Sequence, residues 1–169
     1  MADVYTLTTW QWFPLSRDTV FFFFADATNL ERITPDVLRF KVLKPTPIEM
    51  RPGALIDYRL SLRGVPMRWR TEITAWDPPK RFEDRQLRGP YRQWLHTHLF
   101  EEADGGTMVR DEVRYRLRGP DLLTRPINSL LVQPDVSRIF AYRHGALEQA
   151  LGVEGRSRRG PVSIVRGHL

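Results

Sequence analysis

His96 and His98 lie two residues apart in the segment YRQWLHTHLFEE (91–102), flanked at the same parity by Trp94 and Phe100. The chain has two further histidines, His144 and His168. An imidazole titrates near neutral pH, ligates metals and hydrogen-bonds through either nitrogen. Two of them at this spacing admit several chemistries. With a carboxylate they form a donor set for Zn or Fe(II). A His–Asp pair can act as general acid and base. The same groups can orient a mostly apolar ligand, or satisfy one another as a buried structural network. The HxH spacing by itself offers no clearly spaced third ligand, so neither a metal nor another cofactor is expected. Cysteine is absent, which excludes thiolate sites and disulfides, and there is no GxSxG motif and no phosphate-binding glycine loop.

The acids that could meet these histidines come from neighbouring segments. A turn through EEADGG (101–106) sets either His98 or His96 opposite Asp111, depending on register. A turn through RGPY (88–91) brings Asp84 and Gln86 near Trp94 and His96. Asp84 shares parity with Phe82, and Asp111 with Val109 and Val113, so both acids point to the apolar side of their strands. A polar cluster of Asp84, Gln86, His96, His98 and Asp111 is expected within apolar surroundings. A buried carboxylate is costly unless paired, and an imidazole opposite each relieves that cost.

These positions depend on strands. VYTLTTWQW (4–12) reads as a first strand. Six more follow: 38–44, 54–62, 66–76, 81–87, the histidine segment, and MVRDEVRYRL (108–117) after the glycine turn. Period-2 alternation in several of them marks an antiparallel sheet with one dry face. Tyr58, Met67, Trp69 and Tyr115 share the dry parity. Arg59, Arg68, Arg70, Arg85, Arg110, Arg114 and Arg116 share the wet one, interleaved with Asp57, Glu72, Glu83 and Glu112. That pattern predicts a solvated, ion-paired face rather than a nucleic-acid surface. The histidine strand is apolar on both sides, with Leu95, Thr97 and Leu99 opposite, so burial alone does not choose its inner face.

Two helices are expected between the first two strands, one capped by Ser16, the next beginning near Asp26 and ending at Pro35. DLLTRPINSLLVQP (121–134) reads as a covering segment. Residues 135–152 read as a long helix with Asp135 as cap and Gly152 as stop. On that helix Arg143 suits the mouth of a pocket and a solvent position equally well. Residues 153–169 lack periodicity and read as a flexible basic tail. The reading is of one domain over 1–152, α+β in class: a curved seven-stranded antiparallel sheet, two short helices after the first strand, and a long C-terminal helix over a cavity.

The segments DATNLERITP, PGALIDYRL, WDPPKRFEDRQLRGPYRQWLHTHLFE, GGTMVRDEVRY and IFAYRHGAL carry a resemblance. Over about residues 3–152 the chain resembles the START-like, or SRPBCC, superfamily, whose members share the helix-grip fold of birch-pollen allergens. It is most like the small bacterial ligand-binding members. The resemblance implies a deep, largely apolar pocket beneath the last helix, and favours the histidine side facing it. It leaves function open, since the superfamily includes lipid carriers, quinone-binding proteins and cyclases.

The expectation is a protein that binds a small hydrophobic or aromatic ligand: a lipid, isoprenoid, quinone or polyketide-like molecule. Tyr58, Met67, Trp69, Trp94, Phe100 and Tyr115 would line the pocket. Asp84, Gln86, His96, His98 and Asp111 would supply its polar end. The alternative is a cofactor-free cyclase, hydratase or hydrolase with His96, His98 and Asp111 as catalytic candidates. The chain has 169 residues, 41% of them hydrophobic, and a formal net charge of +6. It shows no leader and no long apolar run, so a cytoplasmic monomer or homodimer is expected, without nucleic-acid or integral membrane contact.

Overall fold

The computed structural model describes residues 2–43 and 47–168. The elements run β1 (Asp3–Phe13), α1 (Arg17–Ala25), α2 (Asn29–Arg32), a 3-10 turn (Asp36–Leu38), β2 (Lys41–Val42) and β3 (Leu55–Leu62). They continue with β4 (Val65–Asp77), β5 (Arg81–Arg88), β6 (Gln93–Ala103) and β7 (Gly106–Arg116). Last come α3 (Asp121–Ile127), a π-helical turn (Asn128–Val132), α4 (Gln133–Leu151), β8 (Arg158–Arg159) and β9 (Ser163–His168).

The strands form one antiparallel sheet in the order β2-β3-β4-β5-β6-β7-β1-β8, with β9 also on β1. The seven expected strands are all present; β2 is short, and residue 44 of its expected span lies outside the described residues. Two-residue turns at Arg63–Gly64 and Asp104–Gly105 take positive φ at both positions, the conformation that matches the twist of a tight hairpin. Register shifts in the β4–β5 ladder, at Arg70/Thr71 and Ile73/Ala75, add local bend. The sheet thereby curves around α4.

Ser16 caps α1, its hydroxyl accepting from the Thr19 amide at 3.3 Å. Helical period sorts the VFFFF run: Phe21 and Phe24 enter the core while Phe22 stays exposed. Asp26 accepts from the Thr28 amide at 2.9 Å, a local turn contact, and α2 begins only at Asn29. One core cluster gathers Phe21, Phe24, Phe82 and Phe100 beneath α1. A second gathers Tyr5, Trp69, Tyr91, Tyr115 and Phe140 beneath α4. Of the seven arginines expected on the outer face, four pair: Arg70 with Asp57, Arg85 with Glu72, Arg110 with Glu101 and Arg114 with Glu112.

Two segments depart from expectation. Residues 121–151 are helical almost throughout; the π turn absorbs a stretch bracketed by Pro126 and Pro134, each unable to donate a helical hydrogen bond. The segment expected as a flexible tail returns to the sheet. β8 pairs with Gln11 and Trp12, and β9 with Asp3 through Thr8. The reason is the edge: without them β1 would present a row of unpaired backbone groups.

Candidate functional site

Strand register brings the polar cluster together. Across β5–β6, Asp84 stands opposite His96 and Phe82 opposite His98. Across β6–β7, His98 stands opposite Asp111. The histidine side of β6 is the buried one, while Leu99 on its other side is exposed.

One carboxylate oxygen serves both imidazoles. Asp111 Oδ1 lies 2.9 Å from His96 Nε2 and 2.8 Å from His98 Nδ1. The first contact is a hydrogen bond; the second is close but misaligned, leaving Nδ1 of His98 in electrostatic contact only. Asp84 Oδ2 lies 3.5 Å from His98 Nε2. The two imidazole rings meet tilted by 35° at 3.8 Å between centroids, and His98 stacks on Phe82 at 4.1 Å. Burial disfavours charge on His98, but Asp111 and Asp84 outweigh it and its pKa moves up. Burial and the neighbouring His98 move the pKa of His96 down. Burial would raise Asp111, but its two imidazole partners hold it well below the usual carboxylate range. The cluster therefore favours the proton on His98, between the two acids, over a proton on His96 beside it.

The cluster forms one end of a cavity of about 170 Å³ between the sheet, α1–α2 and α4. Of the expected pocket residues, Tyr58, Met67, Trp69, Asp84, Trp94, His96 and His98 line it. The other four do not. Asp111 sits behind the two histidines. Phe100 packs against Phe21 and Phe24 in the core. The Tyr115 hydroxyl donates to Asn128 Oδ1 at 2.9 Å, beneath the π turn. Gln86 is spent on the β5–β6 turn: its amide donates to the Tyr91 carbonyl at 2.8 Å and accepts from the Tyr91 amide at 3.2 Å. A turn that needs a side-chain staple takes Gln86 out of the cluster. Along the opposite wall Trp69 donates to Thr71 Oγ1 at 3.1 Å, and the Tyr58 hydroxyl lies 3.0 Å from the same atom. Burial pushes the Tyr58 phenol well above its ordinary pKa, so it stays neutral.

Asp84, His96 and His98 offer ligand atoms within 4.8 Å of one another, which supplies the third donor that chain spacing did not show. A cation there would compete with protons for both imidazoles.

Two contributors escaped the sequence reading and a third was left open by it. Tyr91, assigned to a turn, is buried on the cavity wall 4.7 Å from Trp94 and 5.7 Å from Trp69 between ring centroids. His144 is buried, with Nε2 3.0 Å from the Thr9 hydroxyl, and ties α4 to β1. Arg143, left open between mouth and solvent, lines the cavity with its guanidinium 4.9 Å from the Phe140 ring. The signal was present: Val136, Phe140, Arg143 and Leu147 fall at helical spacing on one stripe of α4.

A curved antiparallel sheet gripping one long helix over an apolar cavity with a polar end defines a helix-grip protein. Residues 13–138 match the family described as polyketide cyclase / dehydrase and lipid transport, and the chain belongs to that family, within the START-like SRPBCC superfamily. No functionally curated protein matches the sequence significantly. Among solved structures, protein Ms6760 from Mycobacterium smegmatis is 22% identical, with 87% of this chain and 90% of that one covered at a TM-score of 0.62. Ginseng major latex-like protein 151 from Panax ginseng is 12% identical, covering 87% and 97% at 0.64. The di-domain ARO/CYC StfQ of the steffimycin biosynthetic pathway is 13% identical, covering 89% of this chain and 53% of its own at 0.60. At these identities the likeness is one of fold.

Proposed function

We propose that this protein binds one small hydrophobic or aromatic molecule (a lipid, isoprenoid, quinone or polyketide-like compound) in the cavity beneath α4. The observation that carries this is the cavity itself: about 170 Å³, walled by Tyr58, Trp69, Tyr91 and Trp94, with Asp84, His96 and His98 among its polar lining. A void of about 150 Å³ suffices to hold a benzene-sized guest, and a few convergent polar groups suffice to orient it. The family's description, which includes lipid transport, supports the reading.

The alternative, a cofactor-free cyclase, hydratase or hydrolase, draws support from two features: His96 and His98 face the cavity, and Asp111 holds both imidazoles from behind. In it His96 is the neutral base, His98 the acid, and Asp111 positions them.

Titration with the neutral fluorophore N-phenyl-1-naphthylamine tests binding. One saturable site is expected, lost in Leu60→Trp, whose indole would fill the cavity from β3. Undiminished binding by that variant would sink the proposal. His96→Gln separates binder from enzyme: a binder keeps its affinity within a few fold, whereas an enzyme keeps affinity and loses turnover.

A further inference from the structure

Arg143 is the arginine that lines the cavity. Among the described residues it forms no ion pair, and its Nε is sealed from solvent without a hydrogen-bond acceptor. A buried donor left without a partner costs about 1–3 kcal/mol, and more when it belongs to a charged group. The two nearest candidate acids are already engaged: Asp111 by both imidazoles and Asp84 by His98. They act on Arg143 through space rather than by contact. Meanwhile the guanidinium lines the cavity, held over Phe140, which itself packs edge-on against His96 at 5.6 Å. A cation–π contact of this kind uses none of the guanidinium's N–H donors.

We infer that the occupant of this cavity carries a carboxylate, seated on the terminal nitrogens of Arg143, with its apolar body against Trp69 and Trp94. The inference rests on the cavity being a ligand site and goes further, naming the ligand class as apolar acids. A planar, two-oxygen anion matches the terminal Nη1 and Nη2 donors of the guanidinium bidentately. Polar groups that are buried and unpaired discriminate strongly: a neutral analogue leaves them unsatisfied.

The test is competition against bound N-phenyl-1-naphthylamine by two matched pairs: naphthalene-2-carboxylate with naphthalene-2-methanol, and decanoate with decanol. In at least one pair the acid should compete at least tenfold better than its alcohol. Arg143→Gln should abolish that preference while leaving the alcohol within about threefold. Arg143→Lys, which keeps the charge without the fork, should retain part of it. Circular dichroism and fluorophore binding verify that each variant is folded. Equal competition by acid and alcohol overturns the carboxylate inference and leaves the cavity as a neutral apolar site. So does failure of all four compounds while the fluorophore still binds, or a preference that survives Arg143→Gln. Failure of the fluorophore itself to bind overturns the ligand site and the inference with it.

Discussion

At the residue scale, Asp111 organises the site. One buried oxygen holds two imidazoles, and the two respond in opposite directions. His98 has its pKa raised above 6.5, because Asp111 and Asp84 together outweigh burial. Its contribution to stability is full below pH 6.5 and is lost as pH rises through the folded-state value. His96 has its pKa lowered below 6.5 by burial and by His98, so it costs stability as pH falls below 6.5. A side-chain NMR titration should therefore show His98 with a midpoint above 6.5 and His96 with one below. Two coincident midpoints near 6.5 would refute the arrangement. Asp111→Asn should pull the His98 midpoint down and cost about 3 kcal/mol in denaturant unfolding, the penalty of breaking a buried pair. Much of this was legible in the sequence. Strand parity placed Asp84, His96, His98 and Asp111 on one face, and the hairpins set their neighbours. Parity says nothing of depth, however: Asp111, Phe100 and Tyr115 share the inner face yet stop short of the cavity. Nor does it say that a side chain will be claimed by a turn, as Gln86 is.

At the element scale, β9 shows where periodicity fails as a guide. Alternation reveals a strand when one of its faces is buried, and in β9 only Ile164 is even partly so. Its pairing with β1 rests on backbone hydrogen bonds, which leave no mark on the choice of side chain. α3 was hidden for a different reason, since Pro126 breaks the helical pattern that the backbone then repairs with a π turn. The core strands and α4 were legible because each buries one stripe or face. The tail has a checkable consequence. Truncation after Ser157 removes β8 and β9 but keeps Val153, which is buried in the core, and the Ser157 hydroxyl that accepts from Gln11 at 3.0 Å. The fold should survive, destabilised by about 2 kcal/mol or more at roughly 1 kcal/mol for each lost backbone bond that water does not fully replace. Hydrogen exchange should rise selectively at β1 amides facing the lost strands. Unchanged exchange there would mean that the tail does not cover that edge in solution.

At the scale of the whole molecule, the architecture carries a void between two well-packed clusters. The phenylalanine cluster under α1 and the tyrosine–tryptophan cluster under α4 flank the cavity rather than close it. Side chains leave a space of about 170 Å³ there, whose walls lack packing partners that a guest can supply, and mass action makes that gain measurable. At a ligand concentration one hundred times Kd, binding to the folded state alone adds about 2.7 kcal/mol. For a domain of 150–250 residues that corresponds to a rise in Tm of roughly 5–11 °C. Scanning calorimetry with a saturating apolar ligand should show this shift. Leu60→Trp should show none, because its indole already occupies the space, and its own Tm without ligand should equal or exceed that of the parent. A ligand that raised both proteins alike would be bound outside the cavity, and the void would then need another explanation than a guest.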